Sequence, residues 1–217
     1  MKFCAIITAG GTSSRFGNTN KLLEKINGKE VIKHTVEKFL IDEISQIIIC
    51  ANKTIIPYLK EFFADNEKIQ IILGGNSRQE SVYNGLMCAS CDYVLIHDGA
   101  RPLISQEIIR KIIDSVKENK AVSVMTKTID TIKEVDSNGK IIRTIDRTKL
   151  FNTQTPQAFE YNLIISVHEK LIGQNYTDDA GMVESLGYDV YMVQGDYRNI
   201  KITTQADINL AEVYMQE

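Results

Sequence analysis

The sequence has no surplus of positive charge. Its 28 acidic and 25 basic side chains leave a net charge of −3, so nothing favours a nucleic-acid partner. It has no apolar run near the ~20 residues that a membrane-spanning helix needs, which excludes a membrane partner of that kind. The N-terminus lacks the basic–apolar–small pattern of a signal peptide, because Met1-Lys2 leads straight into a strand-like run; the cytoplasm is the expected compartment. Histidine and cysteine are scarce. The three histidines, His34, His97 and His168, are scattered, and Cys88-Ala89-Ser90-Cys91 is a C-x-x-C without a second pair at zinc spacing. That pair reads as a helix end running into a strand, and Cys4 and Cys50 read as small core residues. Internal repeats, low-complexity tracts and linkers are also missing, so residues 1–217 are expected to form one domain.

What is present is ordinary in bulk and informative in order. Apolar residues make up 43% and charged residues 24%, as in a soluble globular protein. Strand-like runs alternate with helical periodicity, which predicts an α/β fold with a mostly parallel central sheet covered by helices. The expected strands are 3–7, 46–51, 68–73, 92–97, 121–125, 188–193 and 199–202, with an extended segment around Pro156. The expected helices start near Lys29, after a cap at Thr54, at Arg78, after a cap at Ser105, around Leu163, after a cap at Thr177, and at Gln205. Residues 127–151 differ. They are β-branched and charged, with Asn138-Gly139 at a hairpin turn and few large apolar side chains. This reads as a protruding β-arm, and a homodimer formed through it is expected.

Three strand ends run into glycine-containing turns. The first is Ala9-Gly10-Gly11 with Arg15 and Lys21 downstream, where backbone N–H groups and two cations suit a phosphate. It is neither a Walker A loop nor a G-x-G-x-x-G loop. The second is Gly74-Gly75-Asn76-Ser77-Arg78 with Ser81, where a flat group can approach the backbone and Asn76 and Ser81 offer donors and acceptors to a base edge. The third is His97-Asp98-Gly99-Ala100-Arg101-Pro102, where Asp98 suits Mg²⁺ or a ribose hydroxyl. In open parallel sheets ligands bind at this edge, so the convergence outweighs any single turn. Each turn also has a plain reading: a solvated loop, a strand–helix junction, an Asp–Arg surface pair. Lys201 stands between Ile200 and Ile202, and a lysine in an apolar run usually has a partner or a task. His34 and His168 read as structural, and Asp178-Asp179 as complements of a helix dipole.

These residues, in this order, resemble a known family. Ala9-Gly10-Gly11-x3-Arg15-Phe16-Gly17 with Lys21 is similar to the signature of nucleotidyltransferases. With Gly74-Gly75-x2-Arg78-x2-Ser81, His97 to Pro102, Asp130 to Lys133, Asp146-Arg147, Gln154 to Gln157, Thr177 to Ala180 and Asn199 to Thr203, nearly the whole chain resembles the 2-C-methyl-D-erythritol 4-phosphate cytidylyltransferases of the non-mevalonate isoprenoid pathway. The resemblance implies a three-layer, Rossmann-like nucleotidyltransferase fold. It implies CTP and a sugar-alcohol phosphate as substrates, with Mg²⁺ at Asp98. It implies catalytic roles for Arg15 and Lys21. Ala9, Gly10, Gly11, Gly75, Asn76, Arg78, Ser81, Asp98 and Gly99 would bind CTP. Arg101, Thr131, Arg147 and Lys201 would bind the acceptor, some of them from a second subunit reached by the arm. Ribitol-5-phosphate cytidylyltransferases are a close alternative, and a non-catalytic nucleotide-binding regulator a further one. The flank Asn20-Lys21-Leu22 departs from the family's usual Pro-Lys-Gln, and Gly99 from its usual Ala.

Overall fold

The computed structural model describes residues 1–11 and 20–216. In chain order the elements are β1 (Phe3–Ala9), β2 (Lys25–Ile26), β3 (Lys29–Glu30), α1 (Val31–Lys38), β4 (Ile44–Ala51), α2 (Ile56–Phe62), β5 (Ile69–Leu73), α3 (Arg78–Cys88), β6 (Tyr93–Asp98) and α4 (Gln106–Asn119). They continue with β7 (Ala121–Lys127), β8 (Lys133–Val135), β9 (Ile141–Thr144), a 3₁₀ turn (Arg147–Lys149), β10 (Phe151–Glu160), α5 (Tyr161–Lys170), α6 (Asp179–Ser185), β11 (Tyr191–Gln194) and α7 (Gln205–Tyr214). Seven strands form one sheet in the order β11-β7-β10-β6-β1-β4-β5. All neighbours are parallel except β10, which runs antiparallel to both β6 and β7.

Successive residues of a buried strand point to opposite faces, and the core divides accordingly. Ile7 and Ile49 pack with Val31, Ile32, Ile109, Ile112 and Ile208 on the face covered by α1, α2, α4 and α7. Ile6 and Ile48 pack with Val82, Leu86, Ile164, Val167 and Met182 on the face covered by α3, α5 and α6. This is the three-layer arrangement. Unbroken isoleucine runs in β1 and β4 are what such doubly covered strands require.

The register sets the site. Thr8 pairs with Asp98, Ala9 with Ala51, and Ala51 with Leu73, so the carboxyl ends of β1, β4, β5 and β6 lie level along one edge. Gly99 N–H donates to Thr8 O at 2.9 Å, and Gly74 N–H to Ala51 O at 2.8 Å, which ties the turns to the strand tips. A Cβ on Gly99 would stand 2.9 Å from both Thr8 O and Ile32 Cδ1, so glycine lets the two strand tips approach.

Four sequence expectations are corrected here. Thr54 does not cap α2; its hydroxyl donates to Asn52 Oδ1 at 2.6 Å in a turn that Asn52 closes, and the helix starts after Ile55. Asp178, not Thr177, caps α6, accepting from Gly181 N–H at 3.1 Å. Residues 188–190 are not strand: β11 pairs with Val122–Met125 of β7, and β7 begins only at Ala121. Residues 199–202 form no strand; the segment is held by Asn199 and by Ile202 N–H on Ala100 O at 2.8 Å.

Candidate active site

The level strand tips enclose a cavity of about 360 Å³. Ala9, Gly10 and Gly11 reach it from β1, Gly75, Asn76, Arg78 and Ser81 from the β5–α3 turn, and Asp98 and Gly99 from β6, with Lys21 and Lys201 completing the wall. Arg15 lies outside the described residues. The Asn20-Lys21-Leu22 flank has a local cause. Asn20 Oδ1 accepts from Leu22 N–H at 3.0 Å and Leu22 is buried in the core, so Lys21 is set between an Asx turn and an anchor.

The β5–α3 turn is built from its own side chains. Ser77 caps α3 by accepting from Glu80 N–H at 3.0 Å. Ser81 is buried; its hydroxyl accepts from Gly75 N–H at 3.0 Å and donates to Ser77 O at 2.8 Å. Glu80 Oε2 accepts from Asn76 N–H at 2.7 Å. Ser81 therefore shapes the turn from beneath, while Asn76 is exposed at its rim.

Asp98 is the electrostatic centre. Its side chain is 9% exposed and meets three cations among the described residues: Lys201 Nζ at 2.8 Å, Arg101 Nε at 3.5 Å and Arg78 Nε at 3.5 Å. Burial pushes the Asp98 carboxyl up, but Lys201, Arg78 and Arg101 outweigh it and hold the group well below the usual carboxylate range. Burial likewise opposes charge on Arg78, and the carboxylates of Asp179 and Asp98 outweigh it, so its pKa stands above the ordinary value. Arg101, with burial the stronger influence, is lowered. The lysine between two isoleucines thus has its partner: among the described residues Lys201 is the closest cation to Asp98.

Behind Asp98 runs a buried hydrogen-bond chain. Asp98 N–H donates to Thr155 Oγ1 at 3.1 Å, and Thr155 Oγ1 lies 3.0 Å from His97 Nδ1. His97 Nε2 lies 3.1 Å from Arg101 O. A carbonyl only accepts, so Nε2 carries the proton and Nδ1 accepts from the threonine hydroxyl. Burial pulls the His97 pKa down to about 4, so the ring stays neutral and serves as a brace.

A second cavity of about 260 Å³ adjoins the first and shares Arg78, Asp98 and Lys201 with it. Arg101 joins them, with Gln154, Thr155, Thr177 and Asp178 on the far wall. Gln154 and Thr155 had no expected role beyond their place in a motif, Thr177 was expected to cap a helix and Asp178 to complement its dipole; none was expected in a cavity wall. The available signal for the first two was a polar run, Thr153-Gln154-Thr155, leading into the buried stretch 156–159 of β10. Thr131 and Arg147 are not brought here. Both are exposed on the arm side of the chain, and Arg147 Nη1 donates to Ile129 O.

Among the described residues no cluster of three or more His, Cys, Asp or Glu could cage a metal. Asp98 is the one carboxylate among the described residues lining the first cavity. Mg²⁺ keeps several waters and is typically held by one or two carboxylates plus substrate phosphates. The donor set therefore fits an ion brought in on a triphosphate.

Comparison with known proteins agrees with the architecture and the motifs. The family model described as 2-C-methyl-D-erythritol 4-phosphate cytidylyltransferase (IspD) matches residues 3–217. The chain is 43% identical to the 2-C-methyl-D-erythritol 4-phosphate cytidylyltransferase of Clostridioides difficile, over 97% of this chain and 92% of that one. It is 39% identical to the protein of the same name from Caldanaerobacter subterraneus, over the full length of both. The crystal structure of 4-diphosphocytidyl-2C-methyl-D-erythritol synthase from Anaerococcus prevotii superposes with a TM-score of 0.89 at 33% identity, covering 99% of this chain and 96% of that one. A match across the whole chain, with its motifs gathered at one sheet edge, places it: this chain belongs to the 2-C-methyl-D-erythritol 4-phosphate cytidylyltransferase family.

Proposed function

We propose that this cytidylyltransferase transfers CMP from CTP to 2-C-methyl-D-erythritol 4-phosphate in the paired cavities at the sheet edge. Pyrophosphate leaves and 4-diphosphocytidyl-2-C-methyl-D-erythritol forms. The observation that carries the reading is the cation cluster of Arg78, Arg101 and Lys201 around Asp98, at the boundary between two adjoining cavities. CTP occupies the first cavity, with its triphosphate over Ala9-Gly10-Gly11 and its base against the Gly75-Asn76 turn. The acceptor phosphate occupies the second, beside Arg101 and Lys201.

The acceptor is a phosphate monoester whose second pKa is ~6, so at neutral pH it is mainly the dianion and needs no side-chain base. Its oxygen attacks the α-phosphorus of CTP; a P–O bond forms as the bond to pyrophosphate breaks. The obstacle is the approach of two anions, so positioning and cations supply most of the rate. Arg15 and Lys21 neutralise charge on the α-phosphate and the leaving pyrophosphate, and Lys201 steers the incoming phosphate. Asp98 is held ionised and would hold Mg²⁺, which would supply further neutralisation of the triphosphate. We place the enzyme in the cytoplasm as a homodimer joined through the arm, with no nucleic-acid or membrane partner. Among the described residues no helix is long and apolar enough to cross a membrane.

The test is pyrophosphate release from each of the four ribonucleoside triphosphates, with methylerythritol 4-phosphate and ribitol 5-phosphate offered separately. Release from CTP with methylerythritol 4-phosphate is expected. Release only with ribitol 5-phosphate, or none with either acceptor, contradicts the assignment.

A further inference from the structure

We infer that Asp179 is a positioning residue for this reaction, acting through Arg78; the inference rests on the reading of the cleft proposed above. Arg78 is the first residue of α3, at the positive end of the helix dipole, where a cation is disfavoured. It is nonetheless held there from two sides. Its Nε lies 3.5 Å from Asp98 Oδ1 in the cleft, and its Nη1 donates to Asp179 Oδ2 at 2.6 Å on the far side. The guanidinium thus spans two carboxylates and forms wall in both cavities.

Asp179 itself lines neither cavity, and its side chain is 1% exposed. Every contact it makes fixes it. Its Oδ1 accepts from His168 Nε2 at 3.1 Å, and its N–H donates to Gln157 Oε1 at 3.1 Å. Gln157 is held in turn by Ser123 Oγ at 3.2 Å and Asp178 Oδ2 at 2.7 Å. A complement of the α6 dipole needs none of this; a carboxylate turned inward to a guanidinium and an imidazole does. The consequence is geometric. With one end of the fork pinned by Asp179, Arg78 presents only Nε to Asp98, and Lys201 keeps its 2.8 Å contact with the other oxygen. Without that pin the planar fork turns bidentate onto Asp98 and displaces Lys201 from the acceptor side.

Asp179→Asn keeps the shape and removes the charge. Because ångström-scale misplacement is costly in such sites, it is expected to lower kcat/KM by about ten-fold or more. In an Arg78→Ala background the same change is expected to cost less than about two-fold, since the two residues act as one unit. The Arg78 Nε–Hε resonance in ¹⁵N NMR, assigned by its loss in Arg78→Lys, is expected to shift or disappear in the Asn variant. Should the Asn variant not fold, Asp179→Glu keeps the charge and advances it by one methylene; a folded Glu variant is expected to lose about ten-fold in kcat. Wild-type turnover in whichever variant folds, or a loss that multiplies with that of Arg78→Ala, overturns the inference. If the wild-type protein releases no pyrophosphate from CTP, the proposed function fails. The resonance then decides on Asp179 alone, and an unchanged signal in a folded variant sinks it.

Discussion

Single residues in the cleft sit where their intrinsic preferences would not put them. Arg78 opens a helix, Lys201 stands between isoleucines, and His97 is fully buried beside a carboxylate. Each is explained by partners distant in sequence. Two expectations belong at this scale. Lys21→Ala and Arg15→Ala are each expected to lower kcat by ~10²-fold, as lost transition-state donors do, with an unchanged circular dichroism spectrum. Turnover near wild type in either variant removes it from the catalytic role. The second concerns pH. Burial lowers the His97 pKa from 6.5 to about 4, so the unfolded chain binds its proton first as pH falls. The stability from a neutral His97 is therefore complete above about pH 6.5 and is lost progressively toward pH 4, by about 3 kcal/mol in all. Urea unfolding at pH 7 and pH 4 should show His97→Gln losing about that much less than wild type over the interval. Equal losses in both count against the buried neutral ring. Asp98 and Asp179, both held below the carboxylate range, add a loss only at still lower pH.

At the scale of elements, the β5–α3 turn is the part with the least slack. A Cβ on Gly75 would fall 2.2 Å from Glu80 Cγ, and Glu80 holds the Asn76 N–H. Gly75→Ala must push Glu80 aside and open the rim against which the base is proposed to lie. A rise of about ten-fold in KM for CTP is expected, with little change in KM for the acceptor, since about 1.4 kcal/mol of lost ground-state binding suffices. A change confined to the acceptor places the base elsewhere. Local signals served unevenly here. Ser105 caps α4 as read, accepting from Ile108 N–H at 3.2 Å, and the Asn138-Gly139 hairpin joins β8 and β9. Thr54 is drawn into the turn that Asn52 closes and α2 starts without a side-chain cap, while Asp178 takes the α6 cap from Thr177 because its carboxylate accepts from Gly181 N–H.

At the scale of the whole molecule the arm stands apart from the seven-stranded sheet. β8 and β9 form a two-stranded sheet of their own, and Ile129, Val135, Ile141 and Ile142 around it are each more than half exposed. Two strands alone are marginally stable, and exposed apolar groups gathered on them support the proposed dimer. Thr131 and Arg147 also stand at this arm, away from Arg101 and Lys201. If the arm delivers Arg147 to the partner's acceptor cavity, mixing inactive Lys21→Ala with inactive Arg147→Ala chains restores activity. Random exchange leaves one intact site in half of the dimers, or about a quarter of wild-type activity. No recovery after complete exchange puts Arg147 in its own chain's site or in none. Ile141→Glu combined with Ile142→Glu is expected to yield monomers in sedimentation.

The division between sequence and tertiary structure follows the range of the interactions. Periodicity, glycine turns after apolar runs and the order of the motifs determined the α/β class, the parallel sheet and the site edge, because strand, helix and turn preferences are local. The same reading found the family and eleven residues that line the first cavity. It did not separate a dipole complement at Asp179 from an inward ion pair with Arg78, 101 positions away. Nor did it identify Lys201 as the partner of Asp98, or find the second cavity wall at Gln154, Thr155, Thr177 and Asp178. Those are decided by which strand tips and helix starts the sheet order sets side by side. Low exposure then makes every unpaired charge there costly, so the partners that neutralise it are chosen in space and not along the chain.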